Sequence, residues 1–129
     1  MTASPQVDRA DHGRAAATMV HVNLTVVGRR AVMSVSGEID LATAPVVADA
    51  VDDALDGGAS ELWLDFSSTT FMDSTGLHLL IDTQARMTAL TRRLAVICPE
   101  GPVRRLLELG GLDKQLPLYG DRATAHRAA

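Results

Sequence analysis

Two short stretches, His21–Val26 and Ala31–Ser36, alternate polar and apolar side chains, and Gly28-Arg29-Arg30 lies between them. Alternation of this kind puts the apolar residues of a strand on one face, which predicts a β-hairpin buried on one side. Downstream the pattern changes period several times. Thr43 is placed to cap a helix whose first turn accepts Pro45, because the missing N–H has no helical partner there. Val47, Ala50, Val51 and Ala54 share its inner face, and Gly57-Gly58 supplies its stop. Leu62–Phe66 reads as a buried strand, and the hydroxyl-rich stretch Ser67–Met72 as a polar loop.

A second helix is predicted from Ser74 to about Leu90, with Leu80, Thr83, Met87 and Leu90 on one side. Arg93–Cys98 reads as another strand. Gly101-Pro102 opens a third helix carrying Val103, Leu106 and Leu107 to a stop at Gly110-Gly111. Leu116–Tyr119 is a last strand, and Asp121 caps a short terminal helix through Ala128. A hairpin followed by alternating helices and strands implies parallel crossover units in a mixed sheet, which is α/β architecture.

At 129 residues the chain has the size of one domain. Residues 1–19 lack sustained periodicity and read as a flexible leader, leaving 20–129 as the folded unit. Aromatic residues are only 3% of the chain, so the core must be aliphatic. The net charge of −4 argues against a nucleic-acid partner, whose phosphates call for clustered Lys and Arg; here Arg29-Arg30, Arg92-Arg93 and Arg104-Arg105 are dispersed. Cys98 is the single cysteine, so no internal disulfide can form, and no His/Cys cluster has metal-ligand spacing. Neither a membrane span nor a signal peptide is recognisable, which makes the cytoplasm the expected location. With no phosphate-cradling glycine motif either, no cofactor is expected.

The informative segment is Phe71-Met72-Asp73-Ser74-Thr75-Gly76-Leu77. Asp73 or Ser74 can cap the second helix, satisfying N–H groups of its first turn. A hydroxyl at a helix start is also open to a kinase, and a phosphate there adds about −1.5 to −2 charges. Leu77, Leu79, Leu80 and Ile81 point in several directions around the helix, so one core-facing stripe cannot hold them all and apolar surface remains for a partner. His78 follows Ser74 by one turn, but a Ser-His nucleophile pair would lack a third orienting group and an oxyanion hole. Its expected place is the exposed face, where it tunes partner choice.

Three segments occur in order: Gly37-Glu38-Ile39-Asp40 followed by Thr43; Leu64-Asp65-Phe66-Ser67 leading to Phe71–Leu77; and Val103-Arg104-Arg105-Leu106-Leu107-Glu108-Leu109 with Gly111-Leu112. Together they closely resemble the STAS-domain family of bacterial anti-sigma factor antagonists, from about His21 to the C-terminus. The resemblance implies a STAS fold: a mixed sheet with an N-terminal hairpin and about four helices packed mainly on one face. It implies a non-enzymatic switch. Ser74 would be phosphorylated by an anti-sigma factor that is itself a serine kinase, and a metal-dependent serine phosphatase would restore the hydroxyl. The unphosphorylated antagonist would bind the anti-sigma factor and free the sigma factor. Partner contacts are expected at Asp40, Asp73, Thr75, Gly76, Leu77, His78 and Ile81. For Asp40 the resemblance implies shaping the interface or orienting the hydroxyl, while its local reading is a turn residue ahead of Thr43. His78 departs from the family pattern, where a small or apolar residue is common. The alternative is a STAS scaffold or sensor-associated module not controlled at Ser74.

Overall fold

The computed structural model describes residues 7–10 and 19–128. In chain order these form β1 (Val7–Ala10), β2 (Val20–Val27), β3 (Arg30–Ile39), α1 (Ala44–Asp56), β4 (Glu61–Met72) and α2 (Ser74–Ala89). There follow β5 (Arg93–Ile97), α3 (Pro102–Leu109), a 3-10 turn at Leu112–Lys114, β6 (Leu118–Tyr119) and α4 (Arg122–Ala128). The strands lie in one sheet in the order β1-β2-β3-β4-β5-β6. β2 runs antiparallel to both of its neighbours, β1 and β3, while β3 to β6 run parallel, joined through α1, α2 and α3. The expected mixed sheet with an N-terminal hairpin is present.

Period-two alternation divides the side chains between two faces. Val22 and Leu24 of β2, Ala31, Met33 and Val35 of β3, Leu62, Leu64 and Phe66 of β4, and Leu94 and Val96 of β5 join one large cluster. It is covered by Val47 and Val51 of α1, Leu80 and Met87 of α2, and Val103 and Leu107 of α3. Phe66 is its one aromatic among the described residues, so the core is aliphatic as the composition requires. Cys98 is buried in the same cluster, and desolvation pushes its thiol up to about 11, which keeps it protonated at neutral pH.

Among the described residues the helix that covers the opposite face is α4, through Ala125 packed with Trp63, Ala95 and Ile97. Trp63 donates its indole N–H to Glu61 Oε2 at 2.8 Å, and the Arg30 guanidinium lies 4.0 Å from its ring centroid. Asp65, 4% exposed, accepts from the Ser67 N–H at 2.9 Å and the Ser67 hydroxyl at 2.6 Å. Arg122 Nε, at the start of α4, donates to its other oxygen at 2.6 Å. Burial pushes the Asp65 carboxyl up, but the Ser67 hydrogen bonds and Arg122 outweigh it and hold the group below its usual 3.8.

A depressed carboxyl contributes stability above its unfolded-state pKa and loses that contribution as pH falls through the folded pKa. Asp65→Asn is therefore expected to lower unfolding free energy by about 1–2 kcal/mol at neutral pH. In urea titrations its deficit against the wild type should shrink once pH drops below 3.8. A deficit that is the same at about pH 7 and about pH 2.5 would show that the charge on Asp65 does not hold α4.

Several sequence expectations are corrected. Ser67–Met72 is not a loop: β4 continues to Met72 beside β3, with register shifts between Ser34 and Ser36 and between Gly37 and Glu38. The Thr69 hydroxyl donates to the Val35 carbonyl at 2.7 Å and that of Thr70 to the Gly37 carbonyl at 3.2 Å, so side chains reinforce the ladder where it is irregular. Thr43 holds the N-cap position of α1 but does not cap it: its hydroxyl oxygen accepts from the Asp40 N–H at 2.9 Å and its proton goes to the Glu38 carbonyl at 2.7 Å. Leu90 is not on the inner stripe of α2; it is the C-cap residue and is half exposed. Within the stretch read as a leader, Val7–Ala10 pairs with β2, from Val7 opposite Leu24 to Ala10 opposite His21; its other residues through 18 lie outside the described ones.

Candidate functional site

β3 and β4 end side by side, with Ile39 paired to Met72, and the Asp73 N–H donates to the Ile39 carbonyl at 3.2 Å. The turns that start α1 and α2 are thereby neighbours at the carboxyl edge of the sheet, the usual place for recognition sites in parallel α/β folds. In the first turn Asp40 Oδ1 accepts from the Ala42 N–H at 2.9 Å and the Thr43 N–H at 3.0 Å. Asp40 is thus an Asx-turn residue whose carboxylate fixes the entry to α1, the local role its position suggested.

In the second turn Asp73 is extended, with φ −109° and ψ −169°, and its Oδ1 accepts from the Thr75 N–H at 2.8 Å. Asp73 is the cap, worth about 1 kcal/mol to the helix, which leaves Ser74 as the first helical residue. Ser74 is exposed, and its hydroxyl has no hydrogen-bond partner among the described residues.

Helical geometry sorts the remaining candidates. Ser74, His78 and Ile81 recur at i, i+4 and i+7 and form one outward ridge, with Ile81 41% exposed. Gly76 lies on the opposite, buried side: a Cβ there would overlap Met72 Cγ, come to 2.7 Å from its Sδ and reach 3.4 Å from Ile39 Cγ2. It permits the close approach of α2 to the strand ends. Leu77 is half buried and turned toward Gly110, where an added Cβ would lie 3.2 Å from one of its methyls. Thr75 faces the other way, toward α1.

Between the two helices runs an apolar groove of about 420 Å3, with Leu41, Pro45 and Ala48 on one wall and Thr75 and Leu79 on the other. Beyond Asp73 a second groove is bounded by Phe71 and Met72 at the end of β4 and by Leu106 and Leu109 of α3. Sequence reasoning missed Leu41, 79% exposed, and Leu109, 80% exposed. Leu41 sits in a turn outside any periodic pattern, and only its place between two acidic-to-hydroxyl turn residues, Asp40 and Thr43, hinted that it cannot be folded inward. Among the described residues no three His, Cys, Asp or Glu side chains gather as metal ligands, and no helix is long and apolar enough to cross a membrane.

An α/β domain that displays an exposed helix start between two apolar grooves has the form of an interaction module. The family described as "Mlab, STAS domain" matches residues 22–119, and the chain belongs to this STAS-domain family, which includes the anti-sigma factor antagonists. It is 33% identical over 98 residues to the anti-sigma-F factor antagonist RsfB of Mycobacterium tuberculosis, covering 76% of this chain and 77% of that one. Identity to the anti-sigma F factor antagonist of Paenibacillus polymyxa is 30% over 95 residues, 73% of this chain and 81% of the relative. The crystal structure of an anti-sigma factor antagonist from Mycobacterium paratuberculosis superposes with a TM-score of 0.80 at 32% identity, covering 88% of this chain and 96% of the other.

Proposed function

We propose that this chain is an anti-sigma factor antagonist switched at Ser74. In its unphosphorylated form it binds an anti-sigma factor that is a serine kinase, and so releases a sigma factor to RNA polymerase in the cytoplasm. Transfer of a phosphoryl group from ATP to the Ser74 hydroxyl ends the association, and a metal-dependent serine phosphatase restores it. The observation that carries the reading is the presentation of Ser74: first residue of α2, exposed, capped from behind by Asp73, with apolar surface on either side. The relatives named as anti-sigma factor antagonists support the same partner class.

The helix start explains how one group could serve both states. Its N–H groups and dipole favour an anion, so a phosphate is accommodated by the fold. The same phosphate stands next to the Asp73 carboxylate and in front of surfaces that a partner would desolvate, so the interface carries the cost.

The test is incubation of the purified chain with ATP and each anti-sigma kinase encoded in its genome, followed by intact-mass and peptide mass spectrometry. A single phosphate on Ser74, absent from Ser74→Ala, is the expected result. A kinase that binds the chain tightly yet leaves Ser74 unmodified would remove the switch from the proposal.

A further inference from the structure

The groove between α1 and α2 has a charge pattern that says what it accepts. One turn beyond Pro45 on α1 and one turn beyond His78 on α2, its rim is formed by Asp49 and Asp82. Both are exposed, and neither has an ion pair among the described residues. No lysine or arginine lines the groove. The one arginine of α2, Arg86, is already held by Asp52 of α1 at 2.7 Å, a bridge that ties the helices together past the end of the groove. Apart from Thr75 and His78 on the α2 side, the floor and walls are aliphatic, and Leu41 stands 79% exposed at the mouth beside the Ser74 end of α2.

We propose that this groove is the docking site for an apolar side chain of the anti-sigma factor, carried on a segment with lysine or arginine close by, so that the cation meets Asp49 and Asp82 while the apolar group packs on Leu41 and Leu79. The inference rests on the function proposed above and adds the chemistry of the contact. A neutral or acidic segment would leave two carboxylates desolvated without compensation, whereas a basic one gains complementarity along with burial.

The site is also separable from the switch. Eight residues of helix place Asp82 about 12 Å along the axis from Ser74. That exceeds the screening length of about 8 Å at physiological ionic strength. In the free protein, where both groups are in water, a phosphate on Ser74 therefore does little to strengthen or weaken the rim's attraction for an approaching cation. The groove would set which partner docks; Ser74 would set whether it stays.

The test is titration of the full chain with its purified anti-sigma factor at about 0.05 M and about 0.5 M salt, using wild type, Asp49→Asn/Asp82→Asn, Leu41→Ser and Ser74→Glu. The acidic-rim variant is expected to bind about fivefold to tenfold more weakly at low salt, with the difference closing at high salt. Leu41→Ser should lose about tenfold or more at both salt concentrations, because it removes buried aliphatic area. Since the three side chains altered in the groove variants, Asp49, Asp82 and Leu41, are exposed, thermal unfolding of those variants should be unchanged. If both groove variants bind as wild type while Ser74→Glu does not, the partner docks elsewhere and the groove proposal alone falls. If Ser74→Glu binds as wild type while the groove variants weaken, the groove stands and the switch falls. If no anti-sigma factor binds, both fall.

Discussion

Ser74→Glu is expected to weaken binding to the anti-sigma factor by more than about a hundredfold, while Ser74→Ala binds within about threefold of the wild type. An uncompensated charge placed in a desolvated contact costs about 3–5 kcal/mol, and about 1.4 kcal/mol is a factor of ten in affinity. One carboxylate is thus sufficient, and a phosphate, with about twice the charge, more so. The fold should not suffer, because a negative charge in the first turn of a helix is worth about 0.3–1 kcal/mol in the favourable direction. No hydrogen bond of the native hydroxyl to a described residue is lost. The two readouts move apart: affinity collapses while the melting temperature holds or rises slightly. Equal affinities for the Ala and Glu variants would mean that the Ser74 end of α2 stays in water when the partner binds.

Gly76→Val should do the reverse and damage the fold itself. Replacing glycine inside a helix ordinarily adds about 1 kcal/mol of stability. Here the new Cβ would meet Met72, 6% exposed, and reach toward Ile39, which is fully buried. With alanine, a rotation of the flexible Met72 side chain can absorb most of the overlap, and the variant should lie within about 1 kcal/mol of the wild type. Valine adds two methyl groups with a stiff χ1 where the strand ends already touch the helix. It should cost about 3 kcal/mol, or roughly 10 °C in melting temperature for a domain of this size. Thermal unfolding that is the same for Val and Gly would show that α2 can lift off the ends of β3 and β4 without cost.

The sequence made the hairpin, the helices and the location of the serine legible because each is encoded locally. Alternation defines β2 and β3, and an aspartate before Ser74 is enough to cap α2. What was not legible depends on a partner distant in the chain. Ser67–Thr70 has loop composition, and it is a strand because the backbone carbonyls of Val35 and Gly37 stand ready to receive the Thr69 and Thr70 hydroxyls. Thr43 has a capping side chain, but its oxygen accepts from the Asp40 N–H in the turn before the helix instead of from the first turn of α1. Of the residues expected to meet a partner, Ser74, Thr75, His78 and Ile81 lie on accessible sides of α2. Gly76 packs on Met72 and the half-buried Leu77 lies against Gly110, and nothing in local periodicity announces either neighbour. The groove is likewise invisible until α1 and α2 are set side by side.

The strict order of the strands has a consequence for how the molecule is made. Every strand pairs with the one before it, so a chain emerging residue by residue from the ribosome always finds its next template already in place. Among the described strands none must wait for a later one to be inserted beside it, and from β2 onward each closure spans a hairpin turn or a crossover with one α-helix, the last with a 3-10 turn added. Such a sheet can grow vectorially, with one open edge moving toward the C-terminus as synthesis proceeds. β6, only two residues long, then terminates that edge with little exposed backbone for another molecule to extend.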